Sequence, residues 1–526
     1  LDMGAMHLAL RSLRLKRLPK GAGFVSEPLK ESNRKAGAFY TPDWMARRLA
    51  DMLLADGSRP ETLLDPACGD GRLLVACLDK LCGDLSAAER VMAIRDWIRQ
   101  GLWGVEVDGL NSAFARTALW RLADPDSGPV EGLEQAIHCA DAILGPVHPP
   151  FTRGVFDWRK VGVDGRGGGF QAIVANPPFE VLTGFAKRPG LERYVKRLRN
   201  SGYSLSMSGT LHAYRIFLER SLQLLKPGGR LAIVLPLGFL MDRSVSTLRA
   251  RMLGAGWVEQ VEIHPESQRA FHSVGQATVL LGASLRDGAY GRLRVRTGVA
   301  GEEHRVDLAA LKALDREHLP LPAWEASSCR LAHRIRSLNE SDFGDYFSGR
   351  VGEVDQTLYR DCMLDQAGSA LLLRGAHLAP FAVDLEEKSA RERWLDLERF
   401  SAKRGGGAWR SDCQAARIVQ TGIVNMEAQR RLVAARVPAG VYLGNSLNYW
   451  MPASEVFDDL EMGRAYALGL LNSAPLEWRF RLTSSNNNVN LYEIRDMPLP
   501  TLERRLQASR TTTLWRRFGE RLAGRR

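Results

Sequence analysis

Cysteine is scarce and badly placed for cross-linking. The 526 residues hold seven, at Cys68, Cys77, Cys82, Cys139, Cys329, Cys362 and Cys413, an odd count with no CxxC pair. That pattern argues against a disulfide framework and against a structural zinc site, and it fits a reducing, cytoplasmic setting. Uncharged apolar runs of membrane-spanning length are absent, so no membrane partner is expected. The apolar residues of the first segment, LDMGAMHLALRSLRLKRLPK, are too broken by Arg and Lys for a secretory signal. Internal repeats and long low-complexity segments are also missing. Hydrophobic residues make up 45% and charged residues 25%, values that exclude disorder as the main state.

An excess of one charge sign is missing from the body of the chain. The formal net charge is +12, yet residues 1–35 carry a net +5 and residues 501–526 a net +6. A nearly neutral body therefore lies between two basic tails. The charge permits a polyanionic partner without proving one, and the tails read as non-specific phosphate anchors.

Residues 37–285 alternate between short apolar strands and amphipathic helices. Strands are expected at TLLD (62–65), LWGVEVD (102–108), FQAIVAN (170–176), RLAIVLP (230–236) and ATVLLGA (277–283), with helices at 43–55, 71–82 and 210–226. This alternation predicts an α/β fold with a doubly wound, Rossmann-like sheet. Lys226-Pro227-Gly228-Gly229 is a plausible helix stop. Residues 145–169, rich in Gly and Pro, and the basic stretch 180–209 read as long loops of the kind that carry function. The expected organisation is a basic arm (1–36), a catalytic domain (37–285), a connecting region (286–340), a mixed α+β domain (341–500) with one amphipathic helix around 463–480, and a basic tail (501–526).

Four motifs carry chemistry. DPACGDGRLL (65–74) follows the first strand. A strand ending in an acid, then Gly69 and Gly71, then a helix is a nucleotide-cofactor turn or simply a glycine-rich strand–helix turn. It has neither the GxGxxG spacing nor a Walker lysine, so a phosphate cradle is not its natural reading. GVEVD (104–108) places Glu106 at the end of the next strand, where an acid can accept from both hydroxyls of a ribose. It stands 35 residues after Gly71, where about 20 is usual, and a helical insert at 83–100 accounts for the excess. NPPF (176–179) caps a buried strand. Its prolines stiffen the backbone, so that Asn176 and the Pro177 carbonyl can aim acceptors at one spot beside the Phe179 ring. The bland alternative is a proline-rich turn with Phe179 in the core. GAFYTP (37–42) precedes a helix and would by itself be an ordinary helix start.

In this order the four motifs resemble the TaqI-like adenine-specific DNA methyltransferases, and the chain is similar within them to the PstI, BsuBI and XamI modification methylases. HAYRIFLERSLQLLKPGGRLAIVLP (212–236) and HPESQRAFHSVGQATVLL (264–281) resemble the segments that follow the catalytic loop in that family. The resemblance implies S-adenosyl-L-methionine as cofactor, no metal, and methyl transfer to N6 of a flipped-out adenine in double-stranded DNA. It further implies a prokaryotic, nucleoid-associated enzyme whose functional partner is a separately encoded restriction endonuclease.

Residue by residue, Thr41 would hold the methionine end of the cofactor, and Asp65, Ala67, Gly69 and Gly71 would shape the site of its amino-acid portion. Glu106 would take the ribose hydroxyls. Asp141, in HCADAIL (138–144), would bind the cofactor adenine. Asn176, Pro177, Pro178 and Phe179 would form the catalytic motif, with Phe179 and Phe271 sandwiching the target base. Residues 469–500 resemble the target-recognition region of the same enzymes, with Asn486, Asn487, Asn488 and Asn490 in an Asn-rich loop. Asn can read adenine edges, and it is equally a turn residue. Lys187, Arg188, Lys196 and Arg197, in the segment after the catalytic motif, are expected phosphate contacts. Two competing readings remain at this level: an RNA adenine methyltransferase, and a non-catalytic methyltransferase-like DNA-binding subunit. A fused nuclease is not expected, since 36 residues before Gly37 are too few to form one and no nuclease constellation is evident after residue 285.

Overall fold

The computed structural model describes residues 41–57, 59–124, 126, 128–144, 157–158, 169–182, 190–265, 277–288, 290–298, 301–314, 318–321, 326–339, 341–384, 394–484 and 487–499, with the backbone of a hairpin, Leu13–Arg17 and Phe24–Pro28. The chain divides into two compact units, Leu1–Ala326 and Ser327–Arg526.

The first unit is built on nine strands, buried along nearly their whole length at the centre of the sheet but not at its edges. They are β1 (Leu63–Asp65), β2 (Leu102–Glu106), β3 (Ile137–Cys139), β4 (Phe170–Ala175), β5 (Leu225–Pro236), β6 (Val258–His264), β7 (Thr278–Ser284), β8 (Arg292–Thr297) and β9 (Glu303–Asp307). They form one mixed sheet in the order β9-β8-β6-β7-β5-β4-β1-β2-β3. The pairs from β3 to β5 are parallel, β7 runs antiparallel to both β5 and β6, and β9 is antiparallel to β8. Mostly apolar strands such as β4 (FQAIVA), in which Gln171 is the one polar residue, suit a sheet covered on both faces. Strand order reverses between β1 and β4. The crevice beyond their carboxyl ends is where open α/β sheets bind ligands, and these are the strands that lead into the glycine motif and NPPF.

Helices α1 (Asp43–Leu53), α2 (Arg72–Leu81), α3 (Ala87–Asp96) and α4 (Gly109–Leu122) belong to the first half of the sheet. In one core, Met45, Leu49 and Leu53 of α1 meet Leu73, Leu74 and Cys77 of α2 and the strand residues Leu63, Val174, Val234 and Leu280. The insert between β1 and β2 starts α3 with a capping box, Ser86 and Glu89. Helices α5 (Leu191–Arg199), α6 (Ala213–Leu224) and α7 (Ser246–Gly254) follow β4 and β5. Helix α6 ends at Leu224, before the Lys226–Gly229 stop, which lies inside β5.

Two features depart from the expected layout. Residues 286–340 are more than a connection, because β8 and β9 lie there and lengthen the sheet of the first unit. Strand β6 (VEQVEIH) carries four polar side chains and was not anticipated, yet all seven residues are buried. Its acids are matched by cations from distant segments. Glu259 pairs with Arg230 at 2.7 Å and Arg294 at 2.5 Å, and Glu262 pairs with Arg48 at 2.7 Å and lies 3.0 Å from His264.

The second unit contains a four-stranded antiparallel sheet of β10 (Phe347–Val351), β11 (Arg417–Thr421), β12 (Ala434–Val437) and β13 (Leu447–Pro452), in the order β10-β13-β11-β12. A smaller four-stranded sheet includes Ala370–Leu373 and Tyr442–Leu443. The helix expected over 463–480 is two helices, α8 (Leu460–Leu471) and α9 (Ala474–Arg481). The break is local chemistry. Ser473 caps α9 by accepting from the Leu476 N–H, Pro475 follows in the first turn, and the Asn472 amide pairs with both backbone groups of Ala434. Phe480, Trp450, Phe343 and Phe347 share the aromatic core, while Trp478 is half-buried. The buried Arg417 guanidinium grips Glu353 through two bonds of 3.0 and 3.1 Å.

Among the described residues the cysteines are free, no helix is long and apolar enough to cross a membrane, and no group of His, Cys, Asp or Glu is placed to hold a metal ion.

Candidate active site

Asp65 ends β1, and the chain turns through residues 66–71 into α2. Gly69 (φ +54°) and Gly71 (φ +83°) make the turn in the left-handed region that favours glycine. At Gly71 an added Cβ would also lie 3.0 Å from the Ala115 Cα of α4. That glycine therefore lets two helices approach each other. Asp65 is fully buried. Its Oδ1 accepts from the Ala67 N–H at 2.9 Å, and its Oδ2 has no hydrogen-bond partner. Burial pushes the Asp65 pKa up to about 8, against the Ala67 amide and with help from the Glu106 and Asp70 charges.

Glu106 ends β2 and ties two loops together. Its Oε2 accepts from the Gly69 N–H at 3.0 Å and its Oε1 from the Asp108 N–H at 2.9 Å. Burial raises its pKa, and these two amides oppose the rise. Beyond β3, Asp141 is held in a similar way. Its Oδ1 accepts from the Ile143 and Leu144 amides, each at 3.0 Å, and its Oδ2 accepts from the Tyr194 hydroxyl of α5 at 2.8 Å.

Across the point of strand reversal, Asn176 follows β4. Its Nδ2 donates to the Thr41 Oγ1 at 2.9 Å. The Thr41 carbonyl accepts from the Arg72 guanidinium at 2.6 Å, and Arg72 also grips Asp70 at 2.6 Å. Side chains thus join the segments around residues 41, 70 and 176. The stretch after NPPF is clamped to the start of α6, with Leu182 N–H donating to the Leu211 carbonyl at 2.7 Å and Ala213 N–H to the Glu180 carbonyl at 2.9 Å. The half-buried Phe179 ring stands edge-to-face against Tyr214, with centroids 6.1 Å apart.

These groups surround a cavity of about 460 Å³, within the usual range of roughly 300–1,000 Å³ for small-molecule sites. Thr41, Ala67, Gly69, Glu106, Asp141, Asn176, Pro177, Pro178 and Phe179 all line it. Asp65 and Gly71 are not in the lining: Asp65 is buried and Gly71 packs against α4. Phe271, Lys187, Arg188 and Asn486 lie outside the described residues. Lys196 and Arg197 are exposed on α5.

The Asn-rich loop of the second unit is largely occupied with its own structure. The Asn487 Oδ1 accepts from the Met426 N–H at 3.0 Å, and its carbonyl accepts from Val424. Asn490 forms a capping box with Glu493 at the start of a short helix, Leu491–Arg495. Asn488 is exposed and makes an isolated bridge with Ile423.

Sequence reasoning passed over Arg72 and Tyr194, both in the cavity wall. Arg72 directly follows the glycine motif. Leu191, Tyr194, Val195 and Leu198 share the i, i+3, i+4, i+7 spacing of an inward-facing stripe, a signal hidden by the basic residues between them.

Comparison with known proteins bears on this cavity. Residues 23–281 match the N-6 DNA Methylase family. The chain is 26% identical over 239 residues to the type II methyltransferase M.TthHB8I of Thermus thermophilus, covering 44% of this chain and 42% of that protein. It is 24% identical over 234 residues to the methylase subunit of the type I restriction enzyme EcoEI of Escherichia coli, covering 44% of this chain and 39% of that subunit. The chain thus spans less than half the length of these curated relatives. Among solved structures, a nuclease-deletion mutant of the type ISP restriction-modification enzyme LlaGI, in complex with a DNA substrate mimic, aligns with 89% of this chain and 53% of its own at TM-score 0.54 and 11% identity. The type ISP enzyme LlaBIII bound to DNA aligns with 88% of this chain and 38% of its own, at TM-score 0.51 and 12% identity. At these identities the two structures show a shared fold.

Proposed function

We propose that this protein methylates N6 of adenine in duplex DNA, using S-adenosyl-L-methionine, as the modification enzyme of a restriction–modification system. The motif order favours the TaqI-like group, near the PstI, BsuBI and XamI methylases. In this reading residues 341–500 recognise the target sequence. The observation that carries the proposal is the Asn176–Thr41 hydrogen bond in the cavity wall. With Nδ2 engaged by Thr41, the amide presents Oδ1 as the acceptor for an amino group. The family match and the methyltransferase relatives support the same conclusion.

The residues present suit the cofactor. Two carboxylates in the cavity wall, Glu106 and Asp141, match hydroxyls and an exocyclic amine, and the backbone at Gly69 leaves open space for close approach. Glu106 would take the ribose hydroxyls, Asp141 the adenine amine, and Thr41, Ala67 and Gly69 the amino-acid end. When bound, S-adenosylmethionine supplies a methyl group carried on a cationic sulfur that leaves neutral. The task left to the chain is to make a poor nucleophile reactive. Asn176 Oδ1 and the Pro177 carbonyl accept the two hydrogens of adenine N6, which favours a pyramidal nitrogen with its lone pair exposed. Positioning and fixed dipoles do most of this work. A strong general base is unnecessary, because the proton departs from an amine that has already become cationic. Extracting the base from the duplex costs a few kcal/mol, and stacking on Phe179, with Phe271 opposite, returns about 1–3 kcal/mol.

Modified-base sequencing of DNA from a host expressing the protein tests the proposal. N6-methyladenine at a fixed sequence is the expected outcome, and its absence with folded, cofactor-binding protein refutes it. Asn176→Ala should erase the mark and leave cofactor affinity intact. Methylation at the wild-type level in that variant would remove Asn176 from the mechanism.

A further inference from the structure

Helix α5 has two faces that meet different surroundings. Leu191 and Tyr194 line the cavity, and with Val195 and Leu198 they pack against Ile143, Leu144 and Leu182. Arg193, Lys196, Arg197 and Arg199 are exposed on the other side, and none pairs with a described residue. One element therefore carries both a cavity wall and four exposed cations, with Glu192 the one acid among them.

Tyr194 ties the cavity face of the helix to Asp141. A carboxylate oxygen has two lone pairs. Oδ1 of Asp141 spends both on the Ile143 and Leu144 amides, whereas Oδ2 receives the Tyr194 hydroxyl and keeps one. On the function proposed above, on which this inference rests, that remaining lone pair meets the exocyclic amine of the cofactor adenine. The Tyr194 hydroxyl thus fixes the direction of the lone pair, and its own position is set by the seating of α5.

We propose that Tyr194 couples duplex binding to cofactor binding, with α5 as the shared element. Phosphates drawn to Arg193, Lys196, Arg197 and Arg199 seat the helix. The seated helix holds Asp141 toward the adenine amine. Linkage makes the effect reciprocal, so a bound cofactor also favours the duplex. Tyr194 is a positioning residue here, since it acts through Asp141.

The test is titration calorimetry with S-adenosylhomocysteine, which has the same adenosine and no methyl to transfer, with and without saturating sheared duplex DNA of mixed sequence. In the wild type, DNA should tighten the ligand about tenfold, inside the roughly 5–150-fold span of ordinary couplings. Tyr194→Phe keeps the ring and removes the donor. Its coupling should fall below about threefold, with duplex affinity in the absence of ligand unchanged. The triple variant Arg193→Gln, Lys196→Gln, Arg199→Gln should lower the slope of log K for DNA against log salt by about 2–3. It should lose the coupling and retain the affinity for S-adenosylhomocysteine alone. Equal coupling in wild type and Tyr194→Phe, no coupling in the wild type, or an unaltered salt slope in the triple variant would each overturn the proposal. Failure of coupling beside intact N6-methyladenine formation removes this inference alone. A wild-type protein that binds no S-adenosylhomocysteine removes the proposed function as well.

Discussion

Replacing Asp65 with Asn should stabilise the first unit more and more as pH rises. The carboxyl is buried, one oxygen lacks a hydrogen-bond partner, and its pKa is pushed from the ordinary 3.8 up to about 8. Between those values the folded state holds a proton that the unfolded chain has released. Stability therefore falls with pH across that window. The contribution is complete below pH 3.8, where both states are protonated, and fully lost above about pH 8. At about 1.4 kcal/mol for each pKa unit, the penalty is about 2 kcal/mol at pH 5 and about 4 kcal/mol at pH 7. Asn keeps the acceptor for the Ala67 amide and cannot ionise. Its Nδ2 would stand where the unpartnered oxygen stood, at a constant cost of about 1–3 kcal/mol. The diagnostic quantity is thus the slope: the stability difference between variant and wild type should grow by about 2–3 kcal/mol from pH 5 to pH 7. Guanidinium unfolding at a series of pH values, following the transition of the first unit, measures it. A difference that stays constant with pH would refute the reasoning, because it would mean that Asp65 is ionised in the native protein.

Phe179→Ala should slow single-turnover methylation and weaken capture of the flipped base by about 5- to 150-fold, the equivalent of about 1–3 kcal/mol of stacking; unchanged single-turnover kinetics would count against a stacking role. Glu106→Gln places an amide nitrogen against one of the two backbone donors now facing carboxylate oxygens. The loss of about 1.5–3 kcal/mol should weaken S-adenosylhomocysteine at least about tenfold by calorimetry, and an affinity equal to wild type would contradict the proposed ribose contact. In the second unit, Arg417→Leu leaves the Glu353 carboxylate buried without its ion pair and should cost about 3–5 kcal/mol. The double variant Arg417→Leu, Glu353→Leu should recover much of that, and a neutral single variant in denaturant melts would show that Glu353 finds another partner.

The sequence was most legible where local chemistry and burial agree. The β1–α2 turn needs residues that tolerate positive φ, and Gly69 and Gly71 announce it. NPPF follows an unbroken apolar strand, so both position and direction were readable. Glu106 was legible at the end of an expected strand, whereas Asp141 was legible only through the family resemblance of HCADAIL; both line the cavity. Strand β6 was missed because its buried acids look like a solvated pattern until Arg48, Arg230 and Arg294 arrive from elsewhere in the chain. The same holds for β8 and β9, whose partner strands are defined only by the sheet. Tyr194 was hidden for a related reason: a basic surface helix gives no sign that its inner face closes a cavity. In the Asn-rich loop the sequence left base contact and turn formation open, and the structure shows Asn487 closing the loop and Asn490 capping a helix, with Asn488 exposed.

Glu106 also bears on how the cavity meets its ligand. One carboxylate accepts from Gly69 in one loop and from Asp108 in another, so it staples two strand-end turns together before any ligand arrives. Binding then requires little ordering of backbone, and ordering is a large share of the cost of association. The shape of the site is accordingly stored in the fold itself. A ligand that fits should enter at a rate set by access to the cavity, with little reshaping of the two turns on which it comes to rest.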